Sequence, residues 1–142
     1  MSIRPRLMRI CPCPWSIEKF RRENDLNIQR VDRQVEVLRE EGYLFPGGWG
    51  PEMEKRGFEV MDVLYPDIAL LARWARENGF NKLAVDPEPS TILREMVRHF
   101  KPDVIFIYAG GFFHVNRELR NLLRNAADPQ MIITGLWGDE LH

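Results

Sequence analysis

"KPDVIFIYAGGFFHVNRELRNLL", residues 101–123, is the stretch on which the fold turns. Val104 to Tyr108 run apolar and aromatic without polar alternation, the pattern of a strand covered on both faces, as strands of parallel sheets are. Burying Val104, Ile105, Phe106 and Ile107 would contribute roughly 2 kcal/mol each. Gly110 and Gly111 can take backbone angles closed to other residues, or let a ligand approach the main chain. From Val115 the apolar positions Val115, Leu119, Leu122 and Leu123 recur at helical spacing, with Arg117, Glu118, Arg120 and Arg124 between them. The order is strand, glycine turn, helix. Ligands of open α/β sheets sit at such junctions, beyond the carboxyl ends of the strands.

The remaining sequence repeats the alternation. Arg6–Cys11 predicts a first strand closed by Pro12 and Pro14, which cannot donate to a ladder. Residues 25–41 carry Leu26, Ile28, Val31, Val35 and Leu38 at helical positions. "GYLFPGGWGP", 42–51, has the composition of a loop, and Pro51 suits the first turn of a short helix running to Arg56, capped by Gly57. Phe58–Leu64 predicts a second strand, residues 67–78 a helix ended by Gly79, and Lys82–Val85 a short edge strand. Ser90 is the expected cap of a helix to Phe100, which Pro102 cannot prolong. "QMIITGLWG", from Gln130, is the last expected strand. Strands alternating with helices imply βαβ units: an α/β, Rossmann-like three-layer sandwich with a mainly parallel sheet of 4–5 strands. The strands near 58–64 and 103–109 should flank the first.

Composition narrows the function classes. The 142 residues suit one domain with its own core. Twenty basic against twenty-one acidic side chains give a formal charge of -1, without the basic excess of nucleic-acid binders. No run reaches the roughly 18 apolar residues of a membrane span, and "MSIRPRLMRICPCPW" lacks the apolar core of a signal peptide, so the expected location is cytoplasmic. Cys11 and Cys13 are too close for an unstrained disulfide, and His99, His114 and His142 have no ligand-like spacing. The cysteines suit the end of a buried strand in a reducing compartment, and no metal is expected.

A resemblance adds to this reading. "GFEVMDVLYP" followed by "LLARWARENGF", then "ILREMVRHFKPDVIFIY" and "ELRNLL", resembles the N-terminal half of a glycosyltransferase family that includes spore-maturation-type proteins and enzymes of surface-polysaccharide synthesis. Matching positions are Gly57, then Trp74, Ala75, Glu77 and Gly79, then Lys101, Pro102, Asp103 and Val104, within a similarity spanning roughly residues 40–136. Leu71 departs from the family, which often has Gln there. The resemblance implies the N-terminal domain of a two-domain GT-B enzyme, with residues 1–142 as one Rossmann-like domain shaping the acceptor side. It implies no cofactor in this domain. A nucleotide-sugar donor would be held mainly by a C-terminal domain, the expected partner, and the acceptor would be a glycan or a lipid- or protein-linked glycan. Alone, the domain is expected to be inactive.

His114, at the glycine turn and titrating near neutrality, is the first candidate for acid/base catalysis, with an exposed turn histidine as the plain alternative. Asp139, after the last strand, is the second. Gly110, Gly111, Phe112 and Phe113, joined by Trp15 and Trp49, are the candidate substrate-binding residues. Trp49, Phe112, Phe113 or Trp137 would otherwise leave an apolar patch able to pair two copies of the domain. Trp74 suits core packing, Glu77 a solvated helix end, and Asp103 a turn. Two other classes stay open: a stand-alone flavodoxin-like module for a small ligand, and an interaction domain docking through Tyr43, Phe45 and Trp49. The proline-bearing first loop lacks the Ser, Thr and Gly a flavin phosphate requires, and the first strand lacks a receiver's acids.

Overall fold

Side-chain alternation on the first strand divides the molecule into two faces. In β1 (Arg6–Pro12), Met8 and Ile10 point to one side of the sheet and Arg9 and Cys11 to the other, and all four are buried. The computed structural model describes residues 4–14, 16–44, 49–109, 117–127 and 129–136, with the backbone alone for Ala109, Met131 and 133–136. Within these, β2 (Glu59–Tyr65), β3 (Val104–Ala109) and β4 (Met131–Leu136) join β1 in one sheet of order β2-β1-β3-β4. Every pairing is parallel, with Ile10 beside Val63 on one flank and Ile107 on the other. The two strands expected to flank the first do so, and β3 is interior.

Helices lie on both faces. From β1 to β2 the chain passes through α1 (Ile17–Glu23), a 3-10 turn (Leu26–Ile28), α2 (Val31–Glu40) and α3 (Trp49–Lys55). From β2 to β3 it passes through α4 (Ile68–Glu77), α5 (Asn81–Val85) and α6 (Pro89–Phe100), and α7 (Arg117–Ala127) joins β3 to β4. Met8, Ile10, Val63, Ile105 and Ile107 pack under Leu71 and Trp74 of α4, Leu93 and Val97 of α6, and Leu123 of α7. On the opposite face Cys11 and Leu64 pack under Ile17, Leu26, Leu38 and Leu44, joined by Leu70 of α4. Leu71 is fully buried, so the leucine that departs from the resembled family serves the core.

Several local expectations differ from the structure. Lys82–Val85 is helical, with Ala84 N donating to Phe80 O at 3.0 Å and Asp86 N to Lys82 O at 3.0 Å. Its three-residue apolar run, Leu83–Val85, is too short to carry a period, and Leu83 and Ala84 meet the core from one side of a turn. The helix expected over 25–41 is broken, because Asp25 sits at φ 48 and only Leu26–Ile28 close before Gln29 and Arg30 extend. α6 is capped by Glu88 and not Ser90: the carboxylate accepts from Thr91 N at 2.7 Å and Ser90 N at 3.4 Å, with Pro89 in the first turn. Glu77 stands exposed at the end of α4, as expected, and in addition accepts from Val31 N at 2.9 Å, closing the start of α2. Asp103 is structural. Its carboxylate accepts from Arg6 N at 2.8 Å and its backbone from Gln130 N at 2.9 Å, gathering the starts of β1, β3 and β4.

Candidate functional site

Of the residues expected at the site, Trp49 is described; Trp15, Gly110, Gly111, Phe112, Phe113, His114 and Asp139 lie outside the described residues, as does Trp137. Trp49 opens α3 half-buried, its ring centroid 5.8 Å from that of Phe106. The Arg9 guanidinium lies 5.0 Å from that centroid, a cation–π geometry. Arg9 is fully buried and binds both oxygens of Asp62, at 2.8 and 2.9 Å. Burial opposes the Arg9 cation, and the hydrogen bonds and charge of Asp62 outweigh it, so its pKa is raised. Arg39 Nε adds a third bond to Asp62 at 2.7 Å and its Nη2 reaches Glu54 at 3.1 Å. Trp49 thus covers a buried charge network, with one ring face against Arg9.

A different place has the form of a binding site. After β1, Cys13 N donates to Tyr65 O at 2.9 Å, and Ile17 N donates to Pro14 O at 3.2 Å as the chain turns into α1. After β2, Pro66 and Asp67 lead into α4. Between these turns, at the carboxyl ends of β1 and β2, opens a cleft of about 550 Å³. Cys13, Pro14 and Ile17 form one wall and Pro66, Ile68 and Ala69 the other; Glu18, Arg21, Arg22, Asn27 and Asp67 supply its polar groups. Its volume falls in the ordinary range of small-molecule sites. A smaller hollow of about 220 Å³ adjoins it, sharing Asn27 and Ala69 and running past Arg73 and Arg76.

The floor of the cleft is a buried ion pair. Arg21 and Asp67 are 2% and 4% exposed. Arg21 Nε donates to Asp67 Oδ1 at 3.2 Å and Nη2 donates to Oδ2, a two-pronged bond. Arg21 Nη1 donates to Gln34 Oε1 at 2.8 Å and Asn27 Oδ1 at 3.2 Å, and Gln34 Nε2 is held by Gln29 O at 2.8 Å. Burial pushes the Asp67 carboxyl up, against the pull of Arg21 and of the Ala69 and Leu70 amides. The Cys13 thiol is pushed up to about 12, by burial first and then by the charge of Asp67. It is a neutral wall of the cleft, not a nucleophile. Cys11, buried beneath, is likewise pushed up to about 12 by burial.

Sequence patterning does not find this cleft. Arg21 sits in a seven-residue helix whose periodicity is too brief to register, and Gln34 and Asn27 resemble any polar surface residue. The one local signal is "YPD" at 65–67, an acid between the end of a strand and the start of a helix. Among the described residues no group of three or more His, Cys, Asp or Glu could hold a metal ion, and no helix is long and apolar enough to cross a membrane. No family model, curated protein or solved structure matches the chain.

Proposed function

We propose that this is a Rossmann-like domain forming the acceptor side of a glycosyltransferase of GT-B architecture, with a nucleotide-sugar donor held mainly by a C-terminal domain and a cytoplasmic location. The observation that supports the reading is the cleft of about 550 Å³ at the carboxyl ends of a purely parallel sheet. It offers hydrogen-bonding side chains over a charge-neutral floor and apolar walls, which suit the hydroxyls and C–H faces of a glycan. It offers no glycine-rich turn for a pyrophosphate, in keeping with a donor bound elsewhere. In this reading "AGGFFH" borders the same acceptor side from β3. His114 is then the first choice of base for the acceptor hydroxyl and Asp139 the second.

The test is kinetic, in the enzyme that carries this domain, with donor and acceptor varied separately. Ala69→Trp obstructs the cleft, His114→Ala removes the proposed base, and Gly111→Val crowds the turn. Acceptor turnover should fall at least roughly tenfold in each, since misplacing a bound reactant costs that much or more, while donor KM stays nearly constant. A raised donor KM with acceptor kinetics intact would reverse the assignment. The sheet order β2-β1-β3-β4 also suits a flavodoxin-like module for a small ligand. A flavin nucleotide bound by the isolated chain would favour that second reading.

A further inference from the structure

The cleft contains two arginines, yet its charges cancel. Arg21 is balanced by Asp67 beneath, and at the rim the exposed Arg22 is matched by the exposed Glu18 one helical turn earlier. Arg21 is also heavily engaged: four of its five N–H groups donate within the protein, to Asp67, Gln34 and Asn27. A guanidinium so occupied cannot offer the two-pronged fork by which arginine holds phosphate or carboxylate. An anion entering the cleft would lose its hydration and meet no uncompensated cation on the floor. A hydroxyl faces no such penalty. It can accept from the Asn27 amide nitrogen, the Oδ1 of that side chain being the atom held by Arg21, and can donate to the Glu18 carboxylate at the rim.

We propose that this cleft selects an uncharged polyhydroxylated ligand and rejects phosphate-bearing ones, so that the acceptor unit seated here is a neutral sugar and not a phosphorylated carrier head. The inference deepens the acceptor-side reading and rests on it. The selective element is Asp67, which balances and occupies Arg21.

The experiment follows backbone amide shifts of Cys13, Ile17 and Ala69 in the isotope-labelled chain, titrated with a neutral methyl glycoside and, separately, with inorganic phosphate. The glycoside should move these amides saturably, and phosphate should not. Asp67→Asn leaves Arg21 uncompensated and should raise phosphate affinity at the cleft roughly tenfold. Should that variant fail to fold, Glu18→Gln unbalances the rim from an exposed position and should act in the same direction, more weakly. Phosphate binding in the unaltered cleft, or glycoside shifts confined to other parts of the chain, overturns the inference. Two results separate it from the transferase reading. Glycoside binding here by an enzyme that transfers no sugar keeps the selectivity and removes the transferase. Phosphate binding here beside intact sugar transfer does the reverse.

Discussion

Asp67 and Arg21 show how a buried charge is tolerated at the floor of a cleft. Each is nearly excluded from water, and their mutual bonds, extended by Gln34 and Asn27, offset the desolvation. Arg21→Ala should therefore destabilise the chain by about 3–5 kcal/mol, whereas Arg21→Met combined with Asp67→Leu should cost far less, because no charge is left stranded. Urea unfolding of the single and double variants measures this; equal losses in both would show that packing and not charge holds the site. The two cysteines give a second check. With both thiols pushed up to about 12, neither should be alkylated by iodoacetamide in the folded chain at neutral pH, as intact mass would show. Neither behaviour was legible in the sequence beyond the strand-end placement of the cysteines. Arg21 and Asp67 are far apart along the chain, and their pairing exists only once β2 lies beside β1.

Elements were more legible than residues. The unbroken apolar run of β3, the proline-closed β1 and the glycines after α3 and α4 mark their positions, and Gly57 and Gly79 take φ +96 and +86. What escaped was short or broken: α1 and α5 hold too few turns to show a period, and the extended Gln29 and Arg30 interrupt a pattern that is continuous on paper. Caps were misassigned where a longer side chain reached the helix end, as with Glu88. Its carboxyl is held near 2 by bonds from the Thr91 and Ser90 hydroxyls and amides. A folded pKa below the unfolded one gives stability that is present above the unfolded value of 4.5 and lost as pH falls toward about 2. Glu88→Ala should cost about 1 kcal/mol at neutral pH, and that difference should vanish on acidification through this window. A difference independent of pH would contradict the cap. Gly50 tests the other face: a Cβ there would lie 2.7 Å from Arg39 Nη2 and 3.0 Å from Asp62 Oδ2. Gly50→Ala should destabilise by about 1–3 kcal/mol despite better helix propensity, and much less in an Arg39→Met background.

At the scale of the whole molecule, the parallel order β2-β1-β3-β4 brings the ends of β1, β2 and β3 to one side, where sequence reasoning placed the site on the β3 turn and the structure adds a cleft between the β1 and β2 turns. Pattern alone pointed to the end of the sheet at which this cleft opens, because that end follows from βαβ connectivity. The particular crevice does not, since it depends on how α1 and the start of α4 stand apart. The expected aromatic patch rests on Trp49, which the structure sets against Arg9 and Phe106, and on residues outside the described ones. On the proposed function this chain receives the acceptor and not the donor. A titration of the isolated chain with a neutral oligosaccharide and with a nucleotide sugar, followed by amide shifts at Cys13, Ile17 and Ala69, tests it directly. Saturable shifts with the oligosaccharide, weakened by Ala69→Trp, and none with the nucleotide sugar are expected. Nucleotide-sugar shifts at those amides, with the oligosaccharide silent, would contradict it.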